Sequence, residues 1–247
     1  MADVLIVIPA RFASTRFPGK PLALLGGKPL VQWSWEAAMR AADLGEVVVA
    51  TEDSRIADAV RGFGGTAVMS SADARNGTER CAEVAALRPE ARLVVNLQGD
   101  SPLVRRSDIA ALVAAWRETG APMLTPCIAC DAATEARLLA DAAAGRVGGT
   151  TVVADRAGNA LYFSKRVLPH GGRPKLHIGL YAYAPEALAA YAGWGPGPLE
   201  MAEGLEQLRF LENGAPIRLV EVPAPATGFW EVNNPEDVAL VESALGA

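Results

Sequence analysis

A chain of 247 residues, 51% hydrophobic and 21% charged, has the size and composition of one large globular domain with ample core. Its net charge of −5 leaves no basic stripe to offset phosphate repulsion, which excludes non-specific nucleic-acid binding. The first apolar run, 4–8, is far too short to span a membrane, and Asp3 stands where a secretory leader carries positive charge, so a cytoplasmic protein with no membrane partner is expected.

Residues 4–9 read as a strand, and the loop after it brings Arg11, Arg16 and Lys20 close together among small and turn-forming residues. Pro18 and Pro21 bracket Gly19-Lys20 and keep this loop from continuing as a helix. Cationic side chains beside accessible backbone N–H groups suit a polyphosphate. The segment is not the P-loop of kinases and ATPases, because Ser14 and Pro21 occupy the places where that motif has Gly and Ser or Thr.

Further along, the pattern predicts a helix over 29–43, a strand over 46–50 and a helix over 54–63 capped by Asp53. A short strand at 66–69, a helix at 77–88 and a strand at 91–97 follow. Ser107 or Asp108 opens a helix to about 118, and 123–128 is strand-like. Strands that are apolar throughout, spaced by amphipathic helices, predict an α/β fold: a mostly parallel central sheet with helices on both faces, Rossmann-like. Ligands in such sheets bind outside the carboxyl ends of the strands, where the cationic loop and Gln98-Gly99-Asp100 both lie.

The second half is less regular. Strands are expected at 150–154, 161–165 and 177–183, and helices at 185–192, 199–213 and 235–245. The whole reads as a single domain over 1–247, with a smaller β-rich substrate or dimerisation region at about 125–185. An odd count of three cysteines makes no disulfide framework. Cys127 and Cys130 have CxxC spacing, yet only Cys81, His170 and His177 remain to complete a zinc site, so two buried thiols on a strand are expected.

Asp100 ends the fourth sheet strand in a tight turn, where a carboxylate either caps the turn or binds a hard cation such as Mg²⁺ through oxygen. At the same sheet edge as the cationic loop, the second reading gains weight. Six segments then occur in order: IPARFASTRFPGKPL at 8–22, NGTER at 76–80, VNLQGD at 95–100, ALYFS at 160–164, HIGLYAY at 177–183, and PLE at 198–200 with LEQLR at 205–209. Together they resemble the 3-deoxy-manno-octulosonate cytidylyltransferase (CMP-Kdo synthetase) family over nearly the full length.

The resemblance implies a nucleotide-diphospho-sugar transferase-like fold and a cytoplasmic homodimer working in lipopolysaccharide biosynthesis. It implies transfer of CMP from CTP to the anomeric hydroxyl of 3-deoxy-D-manno-octulosonate (Kdo), a 2-keto-3-deoxy sugar acid, with release of pyrophosphate. By that analogy Arg11 and Lys20 grip the triphosphate with Arg16 beside them, and Ala10 meets the base through its backbone. Arg80, with the turn Asn76-Gly77-Thr78, selects cytosine. Asp100 holds Mg²⁺, and Gln98, Lys165, His177, Tyr181 and Glu206 fall at sugar-acid contacts, Gln98 also lying beside the nucleotide.

Three departures from the family pattern bear on mechanism. Near the C-terminus the family has a second metal carboxylate in VDTPED, whereas residues 232–237 here read VNNPED, making Asn233 the second metal-ligand candidate. Ser101 replaces the Glu of the family's QGDEP. Lys165 stands where the family has Arg, and a lysine cannot give the bidentate carboxylate grip of an arginine. Two alternatives therefore stay open: a cytidylyltransferase for another ulosonic acid or amino-Kdo, and a CTP-binding paralogue with impaired turnover.

Overall fold

Val4–Pro9 (β1) is buried at all six positions, and its side chains divide between two cores. Val4, Ile6 and Ile8 pack into one apolar cluster, while Leu5 and Val7 pack into the other. A strand's side chains alternate between faces, so a strand apolar throughout needs a layer on each side. The structure, a computed structural model, describes residues 3–13, 17–225 and 237–246.

In chain order β1 is followed by a 3₁₀ turn (Lys20–Leu22), a two-stranded ribbon of β2 (Leu24–Leu25) and β3 (Lys28–Pro29), and helix α1 (Leu30–Met39). Next come β4 (Glu46–Thr51), α2 (Ser54–Gly62), β5 (Ala67–Met69), α3 (Gly77–Ala86), β6 (Leu93–Leu97), α4 (Arg106–Thr119) and β7 (Met123–Ala129). The second half holds α5 (Ala132–Ala143), β8 (Thr151–Ala154), β9 (Ala160–Ser164), β10 (Lys175–His177), β11 (Leu180–Tyr183), α6 (Pro185–Gly193), α7 (Pro198–Glu203), α8 (Leu208–Glu212), β12 (Arg218–Glu221) and α9 (Asp237–Leu245).

Among the described residues the main sheet has ten strands in the order β5-β4-β1-β6-β11-β7-β10-β8-β9, with β12 alongside β7. From the pairings, β1, β4, β5, β6, β7, β8 and β12 run one way and β9, β10 and β11 the other, so the sheet is mostly parallel in direction. Helices α1, α2, α4 and α5 supply one core and α3, α6 and α8 the other. The expected α/β architecture with two helical layers is what the chain adopts. Strands β8, β9 and β10 extend the same sheet and form no separate layer.

Two expected elements are broken. The strand over 177–183 is interrupted at Ile178-Gly179, where the Leu180 N–H donates to the Ile178 carbonyl at 2.7 Å. This kink takes the chain from pairing with β8 to pairing with β6, while both halves keep β7 as a neighbour. The helix over 199–213 splits because Gly204 adopts φ 61° at the end of α7, a left-handed conformation that ends a helix. Residues 204–207 then run outside regular helix before α8. Helix α5 and strand β12 were not anticipated.

Cys127 and Cys130 are both buried, as expected, but they belong to opposite cores. An odd separation along an extended segment sends side chains to opposite faces, so the pair cannot share a metal. Burial pushes the Cys127 thiol up to about 11.

Candidate functional site

The carboxyl ends of β1 and β6 are brought together by a glycine. A Cβ on Gly99 would lie 2.7 Å from the Pro9 carbonyl oxygen, so only glycine lets the two loops approach this closely. Between them opens a cavity of about 340 Å³ whose lining includes Ala10, Arg11, Lys20, Asn76, Arg80, Gln98, Asp100 and Glu206. Lys20 and Asp100 form an ion pair across it. Arg11 is exposed and donates to the Arg75 carbonyl at 3.2 Å.

Glu52 organises the near wall. One carboxylate oxygen accepts from the Phe12 N–H at 2.9 Å, and the other lies 2.9 Å from Arg80 Nη2. Arg80 also donates to the Ser70 hydroxyl and, at 3.3 Å, to the Ser71 carbonyl. Its guanidinium is thus buried and committed to protein partners while still lining the cavity.

Helix α3 points its N-terminus at the cavity. Asn76 caps it by accepting from the Glu79 N–H at 2.9 Å and donates at 2.8 Å to the Tyr191 hydroxyl. A helix N-terminus favours negative charge nearby. Thr78 lies one layer below, wholly buried, against the Tyr183 hydroxyl at 3.1 Å.

A second cavity, about 610 Å³, opens beside the first and is lined by Tyr181, Glu206, Gln207 and Arg209 among others. Asn76, Gln98, Asp100 and Glu206 line both. Residue Glu206 as a whole is part-exposed, but its carboxyl turns inward toward the N–H and hydroxyl of Thr78. Burial, reinforced by Glu200, pushes that carboxyl up to about 7, against the pull of Thr78 and Arg209. Gln207, 2% exposed, receives the Tyr181 hydroxyl on Oε1 at 3.5 Å, while its Nε2 has no partner among the described residues. A buried unpaired amide donor is costly unless a ligand meets it.

Of the residues expected at the sugar, Gln98, Tyr181 and Glu206 line this cavity. His177 sits behind them, 8% exposed, its ring 5.4 Å from that of Tyr181. Thr125 donates its hydroxyl proton to the Leu180 carbonyl at 2.8 Å, so in the 2.8 Å contact between Thr125 and His177 the network assigns the proton to His177 Nε2. Nδ1 is left as an acceptor, and burial holds the ring neutral, down to about 3. Lys165 stands at the rim, where a Cβ on Gly204 would lie 3.0 Å from its Nζ. Arg16 and Asn233 lie outside the described residues.

Sequence reasoning passed over Gln207, although LEQLR at 205–209 contains it, and it passed over Glu52, whose role needs the fold to bring residues 12 and 80 to one carboxylate.

Comparison with known proteins gives a consistent picture. The family model described as Cytidylyltransferase matches residues 5–219. The chain is 45% identical over 253 residues to a 3-deoxy-manno-octulosonate cytidylyltransferase of Maricaulis maris (strain MCS10), covering 99% of this chain and 98% of that protein. It is 43% identical to the protein of the same name from Syntrophotalea carbinolica, covering 98% of each. Among solved structures, a CMP:2-keto-3-deoxy-manno-octonic acid synthetase complexed with CTP superposes with a TM-score of 0.86 at 36% identity, covering 98% of both chains.

Proposed function

Because this chain belongs to the 3-deoxy-manno-octulosonate cytidylyltransferase family, we propose that it transfers CMP from CTP to the anomeric hydroxyl of Kdo and releases pyrophosphate. The observation that carries this reading is the shared wall of the two cavities. Asn76, Gln98, Asp100 and Glu206 face both, so a nucleotide in the smaller and an acceptor in the larger meet without crossing protein.

In the reaction the acceptor oxygen forms a bond to the α-phosphorus as the bond to the pyrophosphate oxygen breaks. Such a transfer needs alignment and charge neutralisation more than covalent participation. Arg11 and Lys20 supply positive charge to the triphosphate, and the α3 N-terminus adds its dipole. The Ala10 backbone and the Asn76–Arg80 segment border the base, with Arg80 acting through a guanidinium already fixed by Glu52. Gln98, Tyr181, Glu206 and Gln207 hold the sugar acid, and Lys165 at the rim offers its carboxylate a point charge.

Asp100 presents a hard oxygen donor on the cavity edge next to where phosphate oxygens would lie, a donor set that fits Mg²⁺. We assign Asp100, with Asn233 as a second candidate, to hold that ion, which when bound neutralises phosphate charge. A cytoplasmic homodimer is part of the same proposal.

The test is pyrophosphate release with each nucleoside triphosphate, Mg²⁺ and Kdo. Release with CTP and Kdo supports the reading. Release with CTP only for other ulosonic acids reassigns the acceptor, and CTP binding without release for any sugar acid would sink the transferase reading.

A further inference from the structure

Two charged residues of the PLE and LEQLR segments, Glu200 and Arg209, border the larger cavity but are given no substrate contact above. Arg209 is nonetheless the largest wholly buried side chain among the described residues, 2% exposed. Its guanidinium forks onto Glu200, with Nε 2.7 Å from Oε2 and Nη2 2.6 Å from Oε1. Nη1 donates to Glu79 Oε1 at 3.2 Å and to the Trp194 carbonyl at 3.3 Å, and the guanidinium carbon lies 4.1 Å from the centre of the Tyr191 ring. Glu79 also takes the backbone N–H and the Nε of Arg75.

Two arginines and two glutamates therefore make a formally neutral cluster that ties three pieces together: the start of α3, helix α7 and helix α8. Between Glu200 and Arg209 runs the non-helical segment 204–207 that carries Glu206 and Gln207. A buried fork of this kind adds little net stability over a well-packed apolar substitute, because desolvation offsets its attraction. What it does supply is fixed geometry, since planar bidentate pairing tolerates little displacement.

We propose that Arg209 is a positioning residue for the acceptor. It holds 204–207 so that Glu206 and Gln207 face the larger cavity, and through Glu79 it sets them in register with Asn76 at the nucleotide. The inference rests on the acceptor reading given above for that cavity.

The test compares Arg209→Lys, which keeps the charge and loses the fork, with Glu200→Gln, which keeps the shape and loses the charge. Both are expected to raise the KM for Kdo about tenfold or more while the Kd for CTP changes by less than about threefold. Activity loss that merely tracks the unfolded fraction, with KM unchanged, would overturn the proposal, as would a parallel fall in CTP affinity. If Arg209→Lys fails to fold, Glu200→Gln carries the comparison. Should the wild-type protein release no pyrophosphate with any 2-keto-3-deoxy sugar acid, the acceptor reading falls separately, and crystal structures of the wild type and Glu200→Gln then decide. A Glu206 carboxyl displaced from Thr78 in the variant supports positioning; one that stays in place defeats it.

Discussion

Lys20 and Asp100, 80 positions apart in the chain, neutralise each other at the mouth of the nucleotide cavity. The cation proposed for phosphate and the carboxylate proposed for metal are thus mutual partners in the protein itself. Asp100→Asn breaks this ion pair and removes a negative charge from the cavity. CTP titrated without a divalent ion is expected to bind the variant more tightly than wild type, while turnover with Mg²⁺ falls by about 100-fold or more. Lys20→Ala should weaken CTP in both conditions. An Asp100→Asn protein with full activity removes Asp100 from the metal role.

Glu206 links pH to stability with a sign opposite to that of a salt-bridged carboxylate. Its folded-state carboxyl is raised from 4.5 to about 7 by burial, with Glu200 adding to the rise and Thr78 and Arg209 opposing it; Cys81, Tyr183 and Tyr191 feel its charge in turn. The folded protein holds a proton that the unfolded chain has released, so this contribution is complete below about pH 4.5 and is lost as pH rises through 7. Between pH 5 and 8 wild type should lose on the order of 2 kcal/mol more stability than Glu206→Gln in urea melts. Equal losses in the two proteins would contradict the buried-carboxyl account.

His177 acts in the reverse direction. Its folded value is depressed to about 3 by burial, with Thr125, Phe163, Tyr181 and Cys127 as its immediate surroundings. The unfolded chain takes up a proton near 6.5 that the folded ring refuses, so stability is present above about 6.5 and lost as pH falls toward 3. Replacing His177 by Leu should remove about 1.4 kcal/mol per pH unit from the slope of stability across that acid range. An unchanged slope would mean the ring is charged in place.

Gln207 separates binding from stability. Its Nε2 is buried without a partner, so Gln207→Met forfeits only the weak 3.5 Å contact with Tyr181 and should shift stability by less than about 1 kcal/mol. The same change removes a donor proposed to meet the acceptor, and the KM for Kdo is expected to rise about tenfold. A large drop in melting temperature with no change in KM would make Gln207 a core residue only.

The sheet and its two helical layers were legible because strands buried on both faces are almost wholly apolar, β1 having no polar side chain and β6 only Asn96, and because Asp53 is a cap whose side chain accepts from Arg55 N–H at 2.9 Å. Less was legible where tertiary contact decides. A run such as 199–213 has good helical periodicity, and Gly204 breaks it in a left-handed turn that puts Glu206 and Gln207 at a cavity. Helix α5 follows Asp131, whose cap was readable, but of its 12 residues Leu138 alone is buried, so no apolar stripe marked what followed. Arg80 could be picked out by position in NGTER, whereas its pairing with Glu52 depends on β4 lying beside β1.

The placing of β11 governs when the protein can be assembled at all. Strand β6 carries Gln98 and Asp100 at its end, yet one of its edges is satisfied only by Leu180–Tyr183, which leave the ribosome long after it. Until they arrive, the half-sheet β5-β4-β1-β6 presents an apolar edge with open N–H and C=O groups, a template for intermolecular pairing. Chains arrested before residue 180 should aggregate rather than accumulate as a nucleotide-binding half, and refolding should be slow because its decisive pairing is distant in sequence.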